Sequence, residues 1–127
     1  MYSQEVNLEQ LNIESTKLVC KDIKKSDSLS NLVLEKANHE KQLDIIGLAY
    51  KNLGKNLLCQ QKIDASIELI IKAVSFFEKS GNKKEYAKTI NNLSVALRYK
   101  GEFDKALELS RKQVVVGNEI GNDTIVA

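Results

Sequence analysis

The chain has 127 residues, 43% hydrophobic and 28% charged, a length and composition suited to one globular domain. Its 19 basic and 17 acidic residues leave a net charge of +2, too balanced for the basic stripe that nucleic acid or an anionic membrane requires. No run reaches the ~18 apolar residues of a membrane span, and Met1 to Gln10 carries Glu5 and Glu9 rather than the apolar core of a secretory signal.

Proline is absent, so long helices can run without kinks. Residues 4–25 read as a first helix, with Leu8, Leu11, Ser15 and Leu18 at helical spacing and Lys17, Lys21, Lys24 and Lys25 toward its end. Ser26, Asp27 and Ser28 offer turn and cap chemistry. A second helix follows from Leu29 to His39 on Leu29, Leu32, Val33 and Ala37. The polar stretch from Asn38 to Gln42 is either a tight turn or a continuation of that helix. A third helix, Gln42 to Gln60, carries the stripe Ile46, Tyr50, Leu53, Leu57. After Gln61-Lys62 a fourth helix carries Ile63, Ile67, Ile70, Val74 and Phe77 and ends at Gly81, a good left-handed cap. The fifth helix carries Tyr86, Ile90, Leu93 and Leu97 and is closed by Gly101. The sixth carries Phe103, Leu107, Ser110 and Val114 and is closed by Gly121.

The last four helices are two copies of one unit. Asn52 to Asn82 recurs as Asn92 to Asn122, with identities that include Asn52/Asn92, Leu53/Leu93, Leu57/Leu97, Asp64/Asp104, Lys72/Lys112 and Gly81/Gly121. A period of this size is the mark of a solenoid whose units bury their apolar faces only by stacking. The expected fold is therefore all-α, with about six helices in antiparallel pairs.

Leu93, Leu97, Gly101, Phe103 and Ala106 in one copy, with Leu53, Gly54, Leu57, Ile63, Ser66 and Ala73 in the other, give the chain its resemblance to the tetratricopeptide repeat. The longer period is similar to the repeats of bacterial signalling proteins and of some polarity scaffolds. Gln61, Ser94 and Gln113 depart from the family's pattern. The resemblance implies a TPR-like α-solenoid with a right-handed superhelix, small residues at the helix crossings, and a concave groove lined by the first helix of each pair. It divides one domain, 1–127, into a degenerate repeat at 1–41, repeats at 42–82 and 83–122, and the start of a further repeat or tail at 123–127. A piece of a longer array is the expectation, because solenoids close with a polar cap.

No constellation supports an enzyme. His39, the single histidine, sits in a polar turn without a nucleophile or an orienting partner. Cys20 and Cys59 lack metal-ligand spacing and read as free, partly buried thiols in a reducing cytoplasm. No catalytic, cofactor-binding or metal-binding residue is assigned, and no cofactor is expected. Tyr50, Phe77, Tyr86 and Phe103 read as core. By the family's register the groove-facing residues are Lys51, Asn52, Lys55, Lys88, Asn91, Asn92, Arg98 and Tyr99, a basic and amide-rich set suited to an acidic or extended protein segment. Asn52 and Asn92 could instead bond a neighbouring helix. The function expected is a protein-interaction scaffold, the sensory or docking part of a larger signalling protein in the cytoplasm, without nucleic-acid or membrane partners. The alternative is a structural or oligomerisation module whose exposed solenoid ends pair with another copy.

Overall fold

A computed structural model describes residues 7–120, with side chains described through 112. Six helices follow in order: α1 (Leu8–Leu18), α2 (Ile23–Lys36), α3 (Leu43–Cys59), α4 (Ile63–Ser80), α5 (Lys83–Lys100) and α6 (Phe103–Ile120). No strand occurs among the described residues. The helices pack as the pairs α1–α2, α3–α4 and α5–α6, and each pair stacks on the next to form an all-α solenoid.

The helix ends are set by local chemistry. Asn7, Asp22 and Asn82 cap α1, α2 and α5, their side-chain oxygens accepting from the backbone N–H of Gln10, Lys25 and Glu85. Gly81 and Gly101 close α4 and α5 in the left-handed region, at φ 76° and 91°. Cys20 and Gln61 occupy the equivalent turns after α1 and α3 at φ 63° and 61°, a conformation that costs a residue with a Cβ about 1–2 kcal/mol. The break between the first two helices falls at 19–22, not at Ser26-Asp27-Ser28 as the turn residues suggested. Asp22 is the cap that decides it, and Ser26 lies fully buried inside α2. Helix α2 stops at Lys36, and Asn38 accepts from the N–H of Glu40 and Lys41 in a tight turn. The closure of the sixth helix by Gly121 lies outside the described residues.

Within each pair the two helices cross at small residues, and a serine hydroxyl reaches the opposite backbone. Ser66 Oγ donates to Gly54 O at 2.7 Å, and Ser94 Oγ to Ala106 O at 3.0 Å. In the first pair Ser15 Oγ donates to Ser26 O at 2.9 Å. Gly54 is required sterically, because a Cβ there would stand 2.7 Å from Ile70 Cγ1.

Three clusters make a continuous core. Leu8, Ala37 and Ile46 join the first pair to the second; Ala73, Phe77, Tyr86 and Ile90 join the second to the third; Ile70, Leu93, Ala96, Leu97 and Ala106 fill the crossing beyond. Phe103 departs from the core role expected of it. It is 66% exposed, on a face of α6 that no described helix covers.

Cys20 and Cys59 also depart from expectation. They are joined in a disulfide, with their Cα atoms 5.8 Å apart. The bridge ties the α1–α2 turn to the end of α3. Asn56 reinforces it, accepting from Cys20 N at 2.9 Å and donating to Ser26 Oγ and to Asp27 Oδ1 at 2.9 and 2.8 Å.

Candidate functional site

The first helices of the pairs, α1, α3 and α5, lie side by side. Polar links stitch them: Asn12 Nδ2 donates to Ile45 O at 3.0 Å, Asn52 Nδ2 to Thr16 Oγ1 at 3.0 Å, and Asn82 Nδ2 to Asp44 Oδ2 at 3.2 Å. Lys51 Nζ reaches Glu85 Oε1 at 3.3 Å. Along this face the character changes in order. The helix starts carry Glu9, Asp44 and Glu85, the acids that suit the positive end of a helix dipole. Lys51, Lys55 and Lys88 follow on α3 and α5, and Leu58, Val95, Arg98 and Tyr99 lie toward the helix ends.

Of the eight residues expected on the groove, Lys88, Asn91, Arg98 and Tyr99 are exposed and Lys55 is half-buried. Tyr99, with 71% of its surface free, shares with Val95 and Arg98 a hollow of about 280 Å³. A larger hollow of about 570 Å³ runs from Tyr99 and Val95 to Leu58, Cys59, Gln61 and Ile63. Asn52 must be removed from the set of free donors. It is 1% exposed, and its amide is used internally on Thr16. Lys51 is not a free cation either, because it is held by Glu85. Asn92 is half-buried, and its Oδ1 is enclosed with no hydrogen-bond partner.

The face is also not free of acid, as the groove-facing set suggested. Glu85 stands among the lysines, and Asp44 and Glu9 lie beyond it. The signal was present in the sequence as an acid in the first turn of each of these helices.

Burial lowers the Lys51 pKa below the ordinary 10.5, with Glu85 opposing the shift and Lys55 and Lys88 adding to it. Asp64 raises that of Lys100, whose Nζ lies 2.9 Å from its carboxylate. We expect Lys51 to titrate below the ordinary 10.5 and Lys100 above it when the lysines are followed by NMR after reductive ¹³C-methylation. The unfolded chain holds the Lys51 proton more tightly than the fold does. Stability linked to Lys51 therefore rises with pH from its lowered pKa up to 10.5. Titration of Lys51 at or above 10.5 would show that it is not enclosed.

His39 is exposed at the end of α2, its ring Nε2 3.1 Å from Leu34 O. No group of three or more His, Cys, Asp or Glu among the described residues could hold a metal ion. No helix there is long and apolar enough to cross a membrane. In comparison with known proteins, residues 45–112 match the family model described as the tetratricopeptide repeat. No curated protein matches the chain.

Proposed function

The chain belongs to the tetratricopeptide repeat family, and on that premise we propose that it is a non-enzymatic scaffold whose concave face binds an extended segment of another protein. Repeats of this family are generally protein–protein interaction modules. The observation that carries the finer reading is the row of Lys55, Lys88 and Arg98, which no acid among the described residues neutralises by an ion pair. It lies beside hollows lined by Val95 and Tyr99. Carboxylates of an extended segment meet donors there, and its apolar side chains meet Tyr99 and Leu58. Asn91 supplies an amide for the segment's backbone.

The proposal extends to a docking role within a larger signalling protein, and to three repeats with α1–α2 as a divergent first one. The serine-to-carbonyl crossing shared by all three pairs supports that division. The proposed location is the cytoplasm. A cytoplasmic protein would hold Cys20 and Cys59 reduced, so the redox state of that pair in cells decides between the cytoplasm and an oxidising compartment.

Exposed ion pairs contribute only up to ~1 kcal/mol each, so binding should be micromolar or weaker and should fall with salt. The test uses a panel of extended peptides carrying Asp and Glu between apolar residues, with ¹⁵N shift mapping. Perturbations should cluster at Lys55, Lys88, Arg98 and Tyr99. The variant Lys55→Glu/Arg98→Glu should lose them while remaining folded, since neither side chain is in the core. Equal binding by that variant, or shifts confined to another face, overturns the reading.

One observation favours a second reading, pairing through the solenoid end. Phe103 and Leu107 are 66% and 53% exposed on α6, whereas Ile67, the counterpart of Leu107 on α4, packs on the core. Concentration-dependent sedimentation that is abolished by Leu107→Lys would put this reading first.

A further inference from the structure

We infer that the acid-rimmed hollow at the starts of α1, α3 and α5 is a second subsite, which takes a lysine or arginine side chain of the bound segment. The inference rests on the reading of this face as a peptide groove, and adds the chemistry of its other end. The hollow measures about 270 Å³ and is lined by Glu9, Asn12, Asp44, Ile45, Leu48 and Glu85, among others. That lies below the ~300–1,000 Å³ of small-molecule sites and suits a single side chain.

Acids at helix starts are ordinary and would not make a site alone. The second observation is Asn12. It is 2% exposed, it lines the hollow, and its Oδ1 is a buried acceptor with no hydrogen-bond partner. The orientation of that amide is forced. Its nitrogen donates to Ile45 O, which can only accept, so the oxygen must take the other side. Buried acceptors are nearly always satisfied; this one is closed to solvent in the free protein, and a partner's donor would satisfy it as the Asn12 side chain turns toward the hollow.

The surrounding groups specify what kind of donor. Asp44 is met by the neutral amide of Asn82 rather than by a cation, while Glu85 is paired with Lys51. Lys41 and Lys79 stand in an adjoining hollow that shares Glu9, Asp44 and Ile45; among the described residues, no lysine or arginine lines the Asn12 hollow itself. Ile45 and Leu48 offer an apolar wall. A cationic head on an aliphatic stem fits all of this: the stem lies on Ile45 and Leu48, and the head lies between Glu9 and Asp44, with one N–H toward Asn12 Oδ1. A bound segment would then read base at the helix starts and acid at Lys55, Lys88 and Arg98. That fixes its direction across the groove.

The probe is N-acetyl-leucyl-lysine amide, titrated into ¹⁵N-labelled protein. Its norleucine counterpart, which lacks the cation, is the reference. We expect weak saturable shifts at the Asn12 side-chain amide, Ile45 and Leu48, and at least a fivefold weaker effect from the norleucine peptide. Glu9→Gln/Asp44→Asn should weaken lysine-peptide binding about fivefold or more, since each exposed pair contributes up to ~1 kcal/mol. Glu9→Gln alone, which removes only a first-turn surface charge, is the fallback if the double variant unfolds. Glu68→Gln, at an exposed acid of α4 that does not line this hollow, should leave binding of this peptide unchanged. If the acidic peptides fail while the lysine peptide binds here, the groove reading fails and this subsite stands. Equal shifts from both dipeptides, or unchanged affinity in the acid-neutralised protein, overturn it.

Discussion

Phe77→Ala should lower the unfolding free energy by about 3–5 kcal/mol, the range for deleting a fully buried phenylalanine ring. Phe77 has no exposed surface and sits with Ala73, Tyr86 and Ile90 in the cluster that joins the second helix pair to the third. Its ring lies against Gly47 so closely that a Cβ there would stand 2.9 Å from Cε1. The cavity left by alanine would thus open between α3, α4 and α5 at once. Those helices are held apart by their own backbones and cannot simply close over it. A double-mutant cycle tests the geometry more sharply. Gly47→Ala should destabilise the native protein by crowding the ring. It should cost much less once Phe77 is alanine, giving a non-additive pair. Urea midpoints measure all four proteins. A loss below about 1 kcal/mol, typical of an ordinary substitution, would mean that Phe77 is not the joint between these pairs.

The same cluster explains why this part of the fold was legible beforehand. Tyr86, Ile90, Leu93 and Leu97 are all buried, because an amphipathic stripe that recurs one period later has to face its own copy. The small positions Gly54, Ser66, Ala73, Ser94 and Ala106 are buried for a complementary reason: close crossings leave no room for bulk. Residues before 42 were harder, since their interior is partly polar. Ser15, Ser26 and Ser30 are fully buried and bond one another. A hydrophobic pattern cannot see such a core, so Ser26 and Ser28 read as turn residues although both lie inside α2. Asn52 reads from sequence either as a groove amide or as a link to a neighbouring helix, and its bond to Thr16 Oγ1 on α1 decides for the second. The cysteines were misread because their spacing was compared with metal and disulfide motifs rather than with the repeat. A separation of 39 residues is close to one period, and residues one period apart lie side by side on neighbouring helices.

That juxtaposition leads to the second large effect. Reducing the Cys20–Cys59 bridge, or replacing both cysteines by serine, should destabilise the protein by about 2–4 kcal/mol. A loop of this length costs roughly 4 kcal/mol in the chain-entropy account, and measured values usually fall somewhat short. The loss should not spread evenly. The bridge fastens α1–α2 to α3, while α5 and α6 are held by Leu93, Leu97 and Ala106 on the far side of the core. Amide exchange should therefore quicken in α1 and α2 and change little in α5. The first pair should remain docked and helical, because Asn56 still holds the Cys20 N–H, Ser26 and Asp27 without the sulfurs. Asn56→Ala in the serine background removes that second fastening. It leaves the backbone N–H at position 20 and Asp27 Oδ1 short of a partner, at about 1–3 kcal/mol for each that stays buried, while Ser26 Oγ keeps its bonds to Ser15. Cys59 also lines the hollow that runs to Tyr99, so opening the bridge loosens one wall of the groove and leaves Lys88 and Arg98 in place. Acidic peptides should then bind the reduced protein through the same charges but with a less ordered Leu58–Cys59 wall, visible as broadened resonances there. If mass spectrometry confirms the bridge and its reduction leaves both the urea midpoint and the exchange pattern of α1–α2 unchanged, the disulfide is not what holds the first pair on the solenoid.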